Sequence, residues 1–203
     1  MRTTKRKTPR AKPHPLLAAI LMTLSLALSA HCQSATTEHL PEKDLQHLRE
    51  AIHKSQSFKD RYAAEVWLVG MNKRLERFIK DGETRVKILS LLHSYASDSN
   101  LSPQLVLSVI EVESHFNHFA LSHAGAQGLM QVMPFWKKHI GSSDDNLMDI
   151  ETNLRYGCNI LSHYLKLEKG DLIKALARYN GSRGKTWYPE KVLLAWEKNW
   201  FVN

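Results

Sequence analysis

Glu113 is the side chain in this sequence best suited to acid–base chemistry. Ser102-Pro103 combines a favourable N-cap residue with a proline at the first helical position, which predicts that a helix begins there. The residues that follow are apolar around most of the helix, so the helix is expected to be buried. Glu113 falls in its last turn, where unpaired carbonyl groups and partial burial raise the pKa of a carboxyl group. Such a group can stay protonated near neutral pH and act as a general acid.

A second glutamate, Glu111, lies two residues earlier and therefore about 200° around the helix. The two carboxyl groups cannot face one cleft as a pair, so only one of them can belong to a given site. The sequence predicts Glu111 to be a solvated surface residue. The same interpretation is available for Glu113 when spacing alone is considered.

A glycine-containing block follows the helix and reads Gly125-Ala126-Gln127-Gly128-Leu129-Met130-Gln131, continued by Val132-Met133-Pro134. Two glycines three residues apart indicate a tight loop whose backbone passes close to another group. The lysine of a phosphate-binding loop does not follow, which argues against nucleotide binding.

Taken together, residues 109–134 resemble the bacterial lytic transglycosylases of the soluble (SLT) type. The match consists of Glu113-Ser114, Ser122 nine positions after Glu113, and the Gly-Leu-Met-Gln run, in that order. Members of this family have a lysozyme-like fold and cut the glycan strands of peptidoglycan. The resemblance implies a mainly α, lysozyme-like transglycosylase domain with an N-terminal helical extension.

The resemblance also assigns roles to residues. It implies that Glu113 is catalytic, that Ser122 lies by the N-acetyl group of the muramyl unit, and that Gln131 and Met133 line the cleft. Ser114 is predicted to bind substrate with them. The group that approaches the two glycines is then expected to be a sugar.

A further block, Ala177-Arg178-Tyr179-Asn180-Gly181, resembles the Ala-x-Tyr-Asn-x-Gly motif of the same family and closes a helix predicted over residues 172–179. The resemblance implies that the Tyr179 hydroxyl points into the site near Glu113. A core aromatic followed by an Asn-Gly helix cap is equally compatible with the block. Beyond it the chain departs from the larger family members, so a second carboxylate is not assigned. Glu190 is available, and Trp187 is a candidate for the cleft wall.

One carboxylate is fewer than most glycosidases use, although substrate-assisted enzymes are an exception. Together with this single carboxylate, the resemblance implies a lyase-type cleavage of the MurNAc-GlcNAc β-1,4 bond that leaves 1,6-anhydromuramyl ends. A hydrolytic muramidase on the same fold is the alternative, and a non-catalytic glycan-binding factor is a third. The expected substrate is the peptidoglycan glycan strand.

The amino end is typical of an export signal. Six basic residues among the first twelve precede an apolar run over residues 16–30, which is shorter than the roughly 20 residues of a membrane-spanning helix. We predict a signal peptide or N-terminal membrane anchor over residues 1–34 and a periplasmic location. Cys32 would permit lipidation, but Ser29 and His31 fit a lipobox poorly, so membrane attachment stays open.

The formal charge of +8 does not indicate nucleic-acid binding, because six of the positive charges belong to that leader. Without them, 22 basic residues face 20 acidic ones, and no compact basic cluster remains. The histidines and cysteines lack metal-binding spacing, so no metal and no cofactor is expected. Cys158 is predicted to be a small buried thiol.

Helical periodicity dominates the rest of the chain. One apolar stripe runs from Ala64 to Ile79 and another from Val86 to Ala96, and both are predicted to be core. Asp149 or Thr152 should begin a long helix, and Asp171 should cap the next. We predict an N-terminal helical extension over residues 35–98 and the catalytic domain over residues 99–203.

Overall fold

The computed structural model describes residues 61–201. The predicted leader, with Cys32, and the first part of the predicted extension lie outside the described residues. Within residues 61–201 the α-helices are α1 (Arg61–Leu75), α2 (Gly82–Asp98), α3 (Pro103–Ser114), α4 (Lys137–Ile140), α5 (Ile150–Leu167), α6 (Leu172–Tyr179) and α7 (Trp187–Ala195). A 3₁₀ turn, Pro134–Trp136, precedes α4, and a π-helical turn, Trp196–Trp200, follows α7.

The two predicted apolar stripes form the contact between α1 and α2. The residues of these stripes that are at least 94% buried are Ala64, Leu68, Met71, Leu75, Val86, Leu89, Leu92 and Ala96. Trp67, Phe78 and Ile79 pack against this core as partly buried side chains. The prediction that both stripes are core is confirmed, and α2 also packs against α3 and α5.

Helix α3 occupies the centre of the domain. Ser102 caps it by accepting a hydrogen bond from the backbone N–H of Leu105, and Pro103 is its first residue. Its buried side chains include Val106, Leu107, Val109 and Ile110, all with no exposed surface. The helix ends at Ser114 because His115 takes a left-handed conformation with φ of 50°. The predicted start and burial of this helix are confirmed.

Helix α5 packs against α2 and α6, and α6 packs against α7. Asp149 caps α5 and Asp171 caps α6, each through its side chain, as the sequence predicts. Helix α7 begins two residues before the predicted Pro189 and packs on α3 together with the π-helical turn. Cys158 is fully buried in α5, which confirms the predicted structural thiol.

The predicted mainly α architecture is confirmed over the described residues, where isolated β-bridges join Gln127 to Leu121 and to Val132. These bridges close the loop between α3 and the 3₁₀ turn. None of the helices in residues 61–201 is both long and apolar enough to cross a bilayer.

Candidate active site

Glu113 lies in the last turn of α3 with its carboxyl group partly buried. Burial raises the pKa of Glu113 from 4.5 to about 7, although a hydrogen bond from Tyr188 acts in the opposite direction. Within the described part of the chain, no neighbouring carboxylate contributes to this pKa shift. The predicted rise in pKa is confirmed, and a large fraction of Glu113 therefore carries a proton near neutral pH.

Tyr188 holds the carboxyl group of Glu113 in position. Its hydroxyl donates a hydrogen bond to Oε1 of Glu113 at 2.7 Å, and the residue is only 1% exposed in the first turn of α7. Burial raises the pKa of the Tyr188 phenol well above 10, so the hydroxyl keeps its proton and remains a donor. The sequence analysis did not predict this contact. It identified only the neighbouring residue, Trp187, as a candidate for the cleft wall.

Trp187 is 45% exposed and meets the ring of Tyr188 edge-on, with the ring centroids 5.9 Å apart. An exposed aromatic ring directly beside the residue that contacts Glu113 is suited to packing against a sugar. The structure therefore places Trp187 next to the acid site, and its role as a cleft wall stays a prediction.

The glycine loop packs closely against Asn153 of α5 and the backbone of Leu147. Gly128 has φ of 75°, and a Cβ there would lie 2.4 Å from Nδ2 of Asn153 and 2.5 Å from the carbonyl oxygen of Leu147. Gly125 has φ of 87° but open space around it, so it is needed for its backbone conformation. The close approach that requires a glycine at position 128 is thus made by Asn153 and Leu147, and the approach of a sugar to this loop stays a prediction.

Asn153 fixes this loop from inside α5. It is fully buried, its Nδ2 donates to the carbonyl oxygens of Gln127 (2.8 Å) and Leu147 (2.7 Å), and its Oδ1 accepts from the backbone N–H of Met130 at 2.7 Å. Both ends of the amide are thus used. Nothing in the local sequence indicated this role, since the partners lie up to 26 residues away.

Tyr179 ties the same loop to α6. Its hydroxyl donates to the carbonyl oxygen of Met130 at 2.7 Å, and its pKa is raised well above 10 by burial and by the charge of nearby Glu113. Asn180 is the helix C-cap and Gly181 follows with φ of 79°, so the predicted Asn-Gly cap is confirmed. The tyrosine lies near Glu113 while its hydroxyl is directed to the loop backbone.

Two serines flank the loop. The Ser114 hydroxyl lies 2.8 Å from the carbonyl oxygen of Leu129 and 3.2 Å from that of Ile110, which links α3 to the Gly-Leu-Met-Gln run. The Ser122 hydroxyl accepts the backbone N–H of Ala126 at 3.0 Å and keeps its own hydrogen for a further partner. Both residues shape the loop, and their contacts with substrate stay predictions.

Gln131 and Met133 follow at the end of the loop. The side-chain amide of Gln131 donates to the carbonyl oxygens of Ala120 (3.1 Å) and Gly128 (3.0 Å). Its backbone has a left-handed conformation with φ of 49°. Met133 is half-buried and precedes the 3₁₀ turn. The amide oxygen of Gln131 is the part of this side chain suited to accept a hydrogen bond from a ligand.

Glu111 differs from its prediction as a solvated surface residue. Its carboxylate accepts hydrogen bonds from Asn199 Nδ2 at 2.7 Å and Trp200 Nε1 at 2.6 Å, and Arg77 lies 3.9 Å away. Its side chain is only 16% exposed. Glu111 is largely buried because the π-helical turn with Asn199 and Trp200 packs on α3, and the sequence around Glu111 does not indicate this contact. Glu190, by contrast, is exposed on α7.

Within residues 61–201, the His, Cys, Asp and Glu side chains form no group of three that could hold a metal ion. Glu113 presents a protonatable carboxyl group beside the hydroxyl donor of Tyr188. This arrangement can deliver a proton to a leaving oxygen and then accept one from an attacking hydroxyl group.

Comparison with known proteins gives consistent matches. The family model of the transglycosylase SLT domain matches residues 90–192. A transglycosylase of Enterobacteria phage PRD1 is 37% identical over 101 residues, which covers 46% of this chain and 37% of that protein. The soluble lytic murein transglycosylase of Escherichia coli K12 is 30% identical over 107 residues, 48% of this chain and 17% of that protein.

Membrane-bound lytic murein transglycosylase C of Actinobacillus pleuropneumoniae serotype 5b is 48% identical over 46 residues, 23% of this chain and 13% of that protein. The chain thus matches between 13% and 37% of the length of these three relatives. The residues matched by the family model, 90–192, include Glu113 and the glycine loop.

Proposed function

Because the chain belongs to the transglycosylase SLT domain family, we propose that it is a peptidoglycan lytic transglycosylase with Glu113 as its general acid and base. The observation that carries this proposal is the state of Glu113, whose pKa is raised to about 7 in a position fixed by Tyr188. The proposed reaction cleaves the MurNAc-GlcNAc β-1,4 bond. The lysozyme-like fold of the family supplies the cleft in which the glycan would lie.

In the first step, protonated Glu113 donates its proton to the glycosidic oxygen as the bond from that oxygen to C1 of the muramyl unit breaks. The muramyl N-acetyl oxygen stabilises the positive charge that develops at C1. Ser122 orients this N-acetyl group through its hydroxyl hydrogen, while Gln131 and Met133 line the cleft. Substrate assistance of this kind accounts for a single protein carboxylate.

In the second step, Glu113 is a carboxylate and removes the proton from the muramyl C6 hydroxyl. The C6 oxygen attacks C1 and closes the 1,6-anhydro ring, so no water is consumed. Tyr188 continues to donate its hydrogen bond, which stabilises the charged form of Glu113 between the two steps. The acid is reset to its protonated form at the end of the cycle.

The experiment that tests the proposal is mass spectrometry of the fragments released from purified peptidoglycan by residues 36–203, beside the Glu113→Gln variant. We expect fragments one water lighter than reducing muramyl ends, with a loss of about 10²–10⁴-fold in rate for the variant. Glycan binding should be largely retained, because glutamine preserves the shape of the side chain. Glu76→Gln removes an exposed carboxyl group after α1 and serves as the matched control.

Each alternative has a distinct outcome in this experiment. Reducing muramyl ends that depend on Glu113 would identify a hydrolytic muramidase. Unimpaired release by Glu113→Gln would refute the assignment of the acid. Retained glycan binding without any release by the wild-type protein would favour a glycan-binding role.

We further propose that the protein acts in the cell envelope, exported to the periplasm through residues 1–34. The basic and apolar pattern of that leader supports export, and the relatives include proteins named soluble and membrane-bound. Cell fractionation of the full chain and of a chain lacking residues 2–34 tests this location. Retention of the full chain in the cytoplasm would contradict it.

A further inference from the structure

The backbone turns sharply just after the residue proposed as the acid. Helix α3 ends at Ser114, and His115 and Phe116 then follow one another in the left-handed conformation, with φ of 50° and 64°. A residue with a side chain adopts this conformation at a cost, because its Cβ atom crowds a backbone carbonyl oxygen. For a residue as bulky as Phe116 the conformation is an outlier. Two such residues in succession therefore need contacts elsewhere that hold them in place.

The ring of Phe116 makes such contacts, whereas His115 is exposed. Phe116 is only 3% exposed, and its ring centroid lies 4.8 Å from that of Phe78 and 5.4 Å from that of Trp200. Phe78 follows α1, and Trp200 ends the π-helical turn. The guanidinium group of Arg77 covers both of these rings, at 4.7 Å and 5.7 Å from their centroids. The ring of Phe116 is thus packed against two elements that are distant in the sequence.

The left-handed turn determines the path of the chain from α3 to the glycine loop. Four residues after Phe116, the carbonyl oxygen of Ala120 accepts a hydrogen bond from the side-chain amide of Gln131 at 3.1 Å. Ser122 lies two residues further along. A change of backbone conformation at Phe116 would therefore displace the predicted substrate residues relative to Glu113.

Other side chains fix the opposite end of this loop. Ser114, Asn153 and Tyr179 make their hydrogen bonds to the backbone of residues 129–130. Phe116 acts instead at the end that leaves α3. Its contacts with α1 and the π-helical turn thus have a task that those three hydrogen bonds do not perform.

We propose that Phe116 is a positioning residue for the proposed reaction. Its ring, buried in the cluster with Phe78 and Trp200, holds the left-handed turn that orients the glycine loop relative to Glu113. The link to catalysis rests on the proposed function, while the link between the ring and the loop rests on the structure alone. The packing of α1 and the π-helical turn would then reach the proposed site through the backbone at the end of α3.

The test compares alanine with glycine at position 116 of the full chain. Both substitutions remove the ring, but glycine adopts the left-handed conformation readily and alanine does not. Phe78→Ala and Phe78→Gly are the matched control, because they remove a ring from the same cluster at a position where φ is not positive. Thermal unfolding establishes that each variant is folded under the conditions of the test.

Amide hydrogen exchange measures the position of the loop without any catalysis. The backbone N–H of Gly128 donates to the carbonyl oxygen of Ala120 at 2.9 Å, so its exchange reports on the path set by Phe116. We expect exchange at Gly128 to be about tenfold faster in Phe116→Ala than in the wild type, and about threefold or more slower in Phe116→Gly than in Phe116→Ala. At position 78, glycine should give no such recovery.

A role in packing alone predicts the opposite order at position 116, because glycine loses more backbone freedom on folding than alanine does. The proposal is overturned if exchange at Gly128 is the same in Phe116→Ala as in the wild type. It is also overturned if Phe116→Gly exchanges there as fast as Phe116→Ala, or if glycine gives the same recovery at position 78.

Rates on peptidoglycan test the link to catalysis. We expect kcat of Phe116→Ala to fall by about 10–100-fold with a smaller change in KM, and Phe116→Gly to regain about fivefold or more of that loss. The expected order of exchange rates without any cleavage by the wild type would reject the proposed function and leave the link between the ring and the loop standing. Cleavage by the wild type with the same kcat in Phe116→Ala would reject the positioning role and leave the proposed function intact.

Discussion

At the scale of single residues, the proposed chemistry of this protein depends on two opposing influences on the pKa of Glu113. Burial raises the pKa of its carboxyl group, and the hydrogen bond from Tyr188 lowers it, with burial the larger influence. The result is a pKa of about 7, where both protonation states are populated near neutral pH. A group that must first donate and then accept a proton works best in this range.

The raised pKa of Glu113 predicts how stability depends on pH. Between about pH 4.5 and 7 the folded state binds this proton more tightly than the unfolded state, so stability from this group is lost as pH rises through about 7. Glu113→Gln removes the cost of burying the charge. We therefore expect the free energy of unfolding of the variant, minus that of the wild type, to increase between pH 5 and pH 8. The increase should be at most about 3 kcal/mol.

Urea unfolding of both proteins at the two pH values measures this difference. Glu197→Gln, which removes an exposed carboxyl group from the π-helical turn, controls for the change in net charge. Parallel pH dependences for the wild type and Glu113→Gln would show that Glu113 is not the buried acid. The transglycosylase rate of the wild type should also fall above about pH 7, as the acid loses its proton.

Tyr188→Phe tests the other influence on Glu113. Loss of the hydrogen bond should raise the pKa of Glu113 further, so the alkaline limb of the kcat/KM profile should move to higher pH. The rate at the optimum should fall because the carboxyl group is less well oriented. Tyr95→Phe is the matched control, since it removes a 2.8 Å hydrogen bond from a tyrosine to Glu151 away from Glu113. An alkaline limb that stays in place would contradict the role of Tyr188.

At the scale of elements, local sequence predicted the helix starts well. Ser102, Asp149 and Asp171 all cap the helices assigned to them, because capping depends on a side chain and the backbone within a few residues. The packing of the glycine loop was not predictable in the same way. Gly128 leaves room for the side chain of Asn153, which lies 25 residues later in the chain. Asn153 in turn bonds to Gln127, 26 residues away, and no short motif encodes such a contact.

Asn153→Ala should show how much the loop depends on this contact. The substitution leaves the buried N–H of Met130 and the carbonyl of Leu147 without their partner and opens a cavity beside Gly128. We expect a loss of about 3 kcal/mol in the free energy of unfolding. Activity should also fall, because the loop carries the predicted substrate residue Gln131.

Chemical denaturation and the rate on peptidoglycan measure the two effects. Asn159→Ala is the matched control, because Asn159 lies six residues later on α5, is exposed, and donates a hydrogen bond to the carbonyl oxygen of Arg155 in the same helix. Equal stability losses for the two variants would reject the role assigned to Asn153.

At the scale of the whole molecule, the sequence predicted the helical architecture and the buried stripes but missed how the π-helical turn is held against α1 and α3. The predicted boundary between an extension over residues 35–98 and a domain over residues 99–203 stays a prediction. Glu111 illustrates what was missing, since its partners Asn199 and Trp200 lie 88 and 89 residues away. Periodicity identifies a buried face and cannot identify which distant segment returns to it.

Glu111 joins three parts of the molecule. It lies on α3, accepts hydrogen bonds from the π-helical turn, and is 3.9 Å from Arg77, just after α1. Arg74 on α1 adds hydrogen bonds of 2.9 Å to the backbone oxygens of Asn199 and Phe201. The last turn of the described chain is therefore fastened to both α1 and the helix that carries Glu113.

Glu111→Ala should loosen this turn. The indole N–H of fully buried Trp200 would lose its acceptor, and we expect a loss of about 2–4 kcal/mol in the free energy of unfolding. Faster hydrogen exchange at the Trp200 indole would localise the effect, and Glu197→Ala, an exposed glutamate on the same turn, is the control. Because Glu111 and Glu113 face different sides of α3, the alkaline limb of the pH profile should stay where it is in folded protein. A shifted alkaline limb would show that Glu111 influences the pKa of Glu113. Hydrogen exchange at Trp200 equal to that in the control would show that Glu111 does not stabilise the π-helical turn.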